Sequence, residues 1–425
     1  MDIGGLMEKF IIEGGKPLKG EIKVSGSKNA TLPILAATLL TDGVCEIRNI
    51  PKLRDTLTMC KLLRSLGKTV EISANKVIIS GGANNHIADY KLVSTMRGSF
   101  CVLGPLLAKL GKAKVSMPGG CVIGVRPIDL HMKGIMALGV KADFDGGYVI
   151  ASATKLQGSQ MYLGGTFGSS VLATANVMMA AVLAHGETII ESAACEPEIE
   201  DLGHFLSGMG AKIEGHGTPR IIINGVRKLN GISYKMSSDR IEAGTFLIMA
   251  AAAKTDILVK DANYNHLLSL VDKLQSIGVD VRRDGADIRV RCKKVLKPGN
   301  IVTHPHPGFP TDLQAQYMAL MAITPGVSII TDRVFPDRFM HIAELNRMGA
   351  QIRRDAGVAI VEGIKHLYGA PVMASDLRAS AALVIAGLVA HGKTEIYRIY
   401  HLDRGYEDLD GKLTGIGAKV YREKE

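Results

Sequence analysis

The sequence predicts an α/β protein of six repeated units of about 70 residues, three to each of two domains, with helices inside and sheets outside. Three observations carry this. A helix-ending phrase recurs as SLGKTVEI, ALGVKADF, GMGAKIEG, SIGVDVRR, RMGAQIRR and GIGAKVYR, with its glycines at 67, 139, 210, 278, 349 and 417. The intervals are 72, 71, 68, 71 and 68 residues, too even for chance recurrence of a common dipeptide. Between these stops lies a second phrase of small apolar residues, a turn and a β-rich run, as in PILAATLLTDGVCEIRNI and VMMAAVLAHGETIIESAA.

Each element follows from its pattern. The first helix of a unit is rich in Ala, Met and Leu nearly all round, so it is expected to be buried. The second, such as LRDTLTMCKLLRSLG, alternates apolar and charged positions and should show one face to solvent. Its terminal Gly suits a left-handed cap, and an alternating strand follows. Three units per domain place one domain at 28–236 and the other at 1–27 plus 237–425. The strands FIIEGG and GEIKVSG precede the first unit and are assigned to the second domain. A site is expected between two such similar halves, where pockets often form.

Composition bounds the function. With 47% apolar and 22% charged residues the chain is globular, not disordered. No Trp and 5% aromatics disfavour a base-stacking surface, and there is no long basic run, so no nucleic-acid partner is expected. A net charge of +10 instead suits small anionic ligands. MDIGGLMEKF lacks the pattern of a signal peptide, and the uncharged stretch from Leu156 to His185 is broken by polar residues. A cytoplasmic protein with no membrane association is expected. The cysteines at 45, 60, 101, 121, 195 and 292 form no CxxC pair, and His306, His341 and His401 have no zinc spacing. Neither a P-loop nor a GxGxxG turn is present, so no metal and no cofactor is expected.

Charged residues then single out a site. Lys28, Arg97, Arg240 and Arg378 stand at the starts of buried helices, where a cation opposes the macrodipole at a cost of some tenths of a kcal/mol. Their recurrence at corresponding places points to a shared anion-binding cavity. MPGGCVIGVRP (117–127) holds three Gly and two Pro and must be a loop. Cys121 sits in it near Arg126, where a thiol tends toward thiolate and serves as nucleophile or acid; Cys60, Cys101 and Cys292 lie in apolar patterns and read as core. Asp312 follows FPT at a helix start, where both an N-cap and a general base fit. FPDRFMH and YHLDRGYEDL put Arg338 and Arg404 ahead of solvent-side helices.

The phrases GEIKVSGSKNA, MPGGCVIGVRPIDLH, EPEIEDL, DRIEAGTF, FPTDLQAQ, DRFMHIAEL, DLRAS and YHLDRGYE together resemble the enolpyruvyl transferases, specifically those acting on a UDP-linked amino sugar. The resemblance covers nearly the whole chain from Met7 onward. It implies a two-domain inside-out α/β barrel, consistent with the six units. It also implies transfer of the enolpyruvyl group of phosphoenolpyruvate to the 3′-hydroxyl of UDP-N-acetylglucosamine with release of phosphate, the first committed step of peptidoglycan synthesis. A shikimate-pathway relative shares the fold but lacks a comparable PGGC loop.

By the same resemblance Lys28, Arg126 and Arg404 hold phosphoenolpyruvate, Asn29 positions it, and Arg378 screens its carboxylate. Arg97, the run Arg126, Pro127, Ile128, Asp129 and Leu130, and the segment Ser169, Ser170 and Val171 contact the nucleotide. Asp312 lies at the sugar hydroxyl as general base, Val334 near the uracil or sugar, and Arg338 also on the substrate side. Cys121 protonates the methylene carbon or stores the substrate as an adduct. Leu172 departs from the family, which commonly has Gly there.

Overall fold

The structure, a computed structural model, describes residues 8–119 and 127–425. The chain forms two compact units, changing over between Ser25 and Gly26 and again between Ser237 and Ser238. The unit between those points is called here the first lobe, and the one built from both flanking segments the second. Each has its own hydrophobic core.

Among the described residues there are six four-stranded sheets, all on one plan. A first strand lies parallel to a second, the second is antiparallel to a fourth, and the fourth is antiparallel to a third. Gln160–Tyr162, Glu187–Glu191, Lys212–Glu214 and Arg220–Asn224 fill these places in one unit. A parallel pair needs a crossover between its strands. Here the crossover is the buried helix, Val171–Ala181 in that unit. The second, solvent-side helix, Pro197–Gly208, links the second strand to the third.

Three units borrow strands. Ile232–Lys235 runs parallel to Cys45–Arg48 and completes the opening sheet of the first lobe. In the second lobe Lys19–Lys23 runs parallel to Asp256–Lys260. Glu8–Glu13 fills the fourth place of the last sheet, between Lys393–Tyr397 and Lys419–Lys424, with Phe10 opposite both Ile396 and Arg422.

The six recurring glycines all take positive φ, from 86° at Gly139 to 109° at Gly278. A Cβ strains that conformation, which is why each solvent-side helix stops there. The buried helices pack through small residues. In Arg240–Ala252 every residue from Ile241 onward is buried. A Cβ added at Gly244 would lie 2.5 Å from Leu313, so the close approach of those two segments requires glycine. Burying each large apolar side chain contributes about 1.5–3 kcal/mol, and the interior of each lobe is filled mostly by Leu, Ile, Val, Met and Ala. The sheets face outward, with alternating burial as in Tyr148–Ser152.

Helix starts differ from the expected pattern in two units. Arg97–Val102 and Thr311–Leu313 are short 3₁₀ turns leading into the α-helices Leu103–Leu110 and Gln314–Ala322. Neither α-helix has a side-chain cap, and the tighter i→i+3 bonds satisfy donors that a cap would otherwise take.

Candidate active site

In the first lobe, Ser27 caps the helix Lys28–Ala37 by accepting a hydrogen bond from the Ala30 N–H. Lys28 is its first residue and is buried, with Nζ 3.1 Å from Asp55 Oδ2. Asp55 is also buried and sits in the first turn of the helix Arg54–Ser65, where a carboxylate suits the macrodipole. The pair offsets the cost of a cation at the neighbouring helix start. Asn29 is half-buried beside it.

Arg97 is half-buried, and its Nη2 donates to the Pro127 carbonyl at 3.2 Å. Pro127 is exposed and Ile128 buried at the N-cap of the helix Asp129–Ala137. Asp129 is exposed in the first turn and Leu130 half-buried. Within the lobe, His131 and the Phe100 carbonyl engage the Asn176 amide at 2.9 and 3.0 Å, so that histidine belongs to a satisfied polar core. Ser170 caps the helix Val171–Ala181, and Ser169 beside it is half-buried. Val171 and Leu172 pack part-buried against the core of the lobe. Cys121 and Arg126 lie outside the described residues.

In the second lobe the charges form a ladder. Arg338 Nη1 donates to Asp312 Oδ1 at 2.6 Å, and Nη2 to Asp376 Oδ1 at 3.0 Å. Asp376 also accepts from the Arg378 and Ala379 N–H groups at 2.9 and 2.7 Å, ahead of the helix Ser380–Val389. The side chain of Arg378 is 1% exposed: Nη2 donates to Asp239 Oδ2 and Nη1 to the Gly405 carbonyl, each at 2.7 Å. Its guanidinium also lies over the Tyr406 ring, 5.1 Å from the centroid. Asp239 in turn caps Arg240–Ala252, the helix that begins with the half-buried Arg240. Arg404 is half-buried at the end of the 3₁₀ turn Ile399–Arg404.

Val334 is half-buried in a loop organised by Asp332, whose Oδ1 accepts from the Val334 and Phe335 N–H groups at 3.0 and 2.8 Å. The Thr303 and Thr311 hydroxyls donate to the same carboxylate, so Asp332 also fixes the turn that carries Asp312. Asp312 is therefore not an N-cap. Leu313 holds that position, and the Asp312 carboxylate, a quarter exposed, is oriented by Arg338.

The environment sets the charge states. Burial opposes the charge on Arg338, but Asp376 and Asp312 more than offset it and hold the guanidinium firmly protonated. Burial likewise works against ionised Asp376, yet Arg338 and the Ala379 N–H bring its carboxyl below the usual carboxylate range. Desolvation drives His341, fully buried with neither ring nitrogen hydrogen-bonded, down to about 3. Burial raises the thiols of Cys60 and Cys101 to about 11 and about 12, and those of Cys45, Cys195 and Cys292 also rise. These five are held as unreactive thiols near neutral pH.

The structure thus brings Asp312, Arg338 and Arg378 into one charged ladder, with Arg404 adjoining it through Gly405, and in the first lobe it joins Arg97 to Pro127. Sequence reasoning missed Asp55, Asp239, Asp332 and Asp376, the carboxylates that hold these cations and loops. SSDR and SDLR did carry a signal, an acid just ahead of a cation at a buried helix start, but each Asp read as an ordinary cap.

The family model for EPSP synthase (3-phosphoshikimate 1-carboxyvinyltransferase) matches residues 12–413. The chain belongs to the enolpyruvyl transferase family. Within that family it is 52% identical to a UDP-N-acetylglucosamine 1-carboxyvinyltransferase of Methylacidiphilum infernorum over 98% of this chain and 99% of the relative. It is also 52% identical to the protein of that name from Lawsonia intracellularis, over 99% and 100%. Among solved structures, the enolpyruvyl transferase NikO from Streptomyces tendae superposes with a TM-score of 0.90 at 23% identity, covering 99% of this chain and 100% of that one. EPSP synthase from Acinetobacter baumannii gives 0.75 at 19% identity, covering 98% and 100%. At such identities these structures establish the fold, and the inside-out α/β architecture is theirs too.

Proposed function

We propose that the protein transfers the enolpyruvyl group of phosphoenolpyruvate to the 3′-hydroxyl of UDP-N-acetylglucosamine and releases phosphate, opening peptidoglycan synthesis. The observation that carries this is identity of about half over nearly full length with relatives bearing that enzyme's name. No helix among the described residues is long and apolar enough to cross a membrane, which accords with a cytoplasmic enzyme acting on small molecules.

The chemistry assigns roles to this chain's own groups. Two polyanionic substrates must meet, so permanent cations are needed to screen them. Lys28, Arg126 and Arg404 hold phosphoenolpyruvate with Asn29, and Arg378, held by Asp239 and the Gly405 carbonyl, helps screen its carboxylate. Arg97, the run Arg126 to Leu130, the segment Ser169 to Val171, and Val334 receive the nucleotide sugar. The Cys121 thiol gives its proton to the methylene carbon, making an oxocarbenium-like centre at C2. The sugar oxygen attacks that centre as its proton passes to Asp312, a carboxylate kept in place by Arg338. The C2–O bond to phosphate then breaks, the methyl group returns a proton, and the double bond re-forms. Lys28 and Arg126 stabilise the departing charge.

Phosphate release from phosphoenolpyruvate, measured with UDP-N-acetylglucosamine and in parallel with shikimate 3-phosphate, tests the reading. Release with the nucleotide sugar alone is expected, and loss of that release in Cys121→Ala near neutral pH. Turnover with shikimate 3-phosphate in its place would overturn the substrate assignment. Full turnover by Cys121→Ala would remove the thiol from the mechanism.

A further inference from the structure

The 3₁₀ turn Ile399–Arg404 is a poor platform for a substrate-binding residue. It starts from Arg398 at φ 58° with no side-chain cap, and such turns hold few bonds of their own. Its orientation depends on what grips it from outside. Downstream of Arg404 the grip is internal: Arg378 donates to the Gly405 carbonyl, and the Tyr406 hydroxyl engages Thr245 at 2.8 Å and Gln316 at 3.2 Å. Upstream, the neighbouring Asp403 is held from the C-terminal strand. Arg422 Nη1 donates to Asp403 Oδ2 at 3.0 Å and Nη2 to Oδ1 at 2.7 Å, a two-pronged fork.

The fork is itself aimed. Arg422 Nε points to Asp410 at 3.2 Å from each oxygen, Nη1 reaches Glu8 at 3.2 Å, and the guanidinium lies over the ring of Phe10, 4.9 Å from its centroid. Phe10 is fully buried and sits opposite Arg422 in the sheet, so the stacking surface is packed into the core of the lobe. Five donors fixed in a plane allow such simultaneous contacts, which a lysine ammonium does not reproduce.

We infer that Arg422 is a positioning residue for Arg404: by clamping Asp403 against the two terminal strands it aims the neighbouring guanidinium and sets the affinity for phosphoenolpyruvate. The inference rests on the reading that Arg404 holds that substrate. Solvent-accessible ion pairs contribute little to stability, and the Arg422 and Asp403 side chains are 28% and 38% exposed. Removing the clamp should therefore alter substrate binding far more than it alters unfolding.

Steady-state kinetics of Arg422→Gln, Arg422→Lys, Asp403→Asn and the Arg422→Gln/Asp403→Asn double variant, with thermal unfolding of each, test this. In Arg422→Gln the KM for phosphoenolpyruvate should rise about ten-fold, with kcat, Tm and the KM for the nucleotide sugar nearly unchanged. Asp403→Asn should show the same selective rise, Arg422→Lys should recover only part of the loss, and the double variant should be no worse than either single. An unchanged KM for phosphoenolpyruvate would overturn the inference. So would a parallel rise in both KM values with a falling Tm, which marks general loosening. Failure of the parent protein to release phosphate from the two substrates would instead remove the reaction assignment, leaving a distinct result.

Discussion

Among the described residues, the opening buried helix of the first lobe begins with a buried ion pair, Lys28 with Asp55, while in the second lobe two arginines and three carboxylates interlock across several helix starts and turns. Both lobes use the same three-unit plan, so the fold does not demand the difference. Nor does stability, because burying each ion costs several kcal/mol of desolvation that its partner only partly returns. The ladder is better understood as a device for direction. It fixes Asp312, Arg378 and the turn bearing Arg404 in one frame, where the pair in the first lobe fixes one ammonium group.

The largest break in that comparison should come from Asp312→Asn. It removes the proposed base but leaves Arg338 bonded to Asp376, so turnover should fall about 10²–10⁴-fold while the unfolding temperature stays close to that of the parent. A fall under ten-fold would move the base role elsewhere. Next comes Arg378→Met, which takes the guanidinium away from the buried Asp239 carboxylate and should destabilise the protein by about 3–5 kcal/mol in urea unfolding. Adding Asp239→Asn keeps the helix cap and should recover much of that loss. The matching change in the first lobe, Lys28→Met, should cost less, since the Lys28 side chain is 9% exposed against 1% for Arg378. Equal losses would mean that the two lobes bear their charges alike.

The smallest effect concerns pH. Because the folded state holds His341 neutral down to about 3, the unfolded chain binds more protons below its ordinary value near 6.5. This contribution is complete above that value and is lost as pH falls from there toward 3. The Asp376 contribution works in the same direction but only near and below 4. Between pH 6.5 and 5, His341→Met should therefore reduce the pH-dependent loss of stability by up to about 1.4 kcal/mol per pH unit. An unchanged slope would show that His341 meets solvent more readily than its burial implies.

How much of this was legible follows from sequence distance. The repeat was plain, since each glycine acts on its own helix end and its positive φ is a local matter. The alternation of an all-apolar helix with an amphipathic one was equally local. The charge partners were not, because Asp55 lies 27 residues from Lys28 and Asp239 lies 139 residues from Arg378. Nothing in the short-range pattern separates such an Asp from a plain cap. Asp312 shows the same limit: its carboxylate is turned to Arg338, 26 residues onward, and the N-cap position falls to Leu313, neither of which FPTDLQAQ displays. The Arg97 and Thr311 helix starts were misjudged because a 3₁₀ turn and an α-turn share the same apolar spacing over so few residues.

The strand Glu8–Glu13 lies between Lys393–Tyr397 and Lys419–Lys424, and this imposes an order on synthesis. It is made before both of its neighbours and has no sheet to join until the chain has been made as far as Lys424, whereas residues 26–237 can assemble meanwhile. At roughly 5–20 residues per second that wait lasts on the order of tens of seconds, during which Phe10, Ile11 and Ile12 lack the sheet neighbours that bury them in the folded protein. Docking of this strand is therefore a late step in the folding of the second lobe.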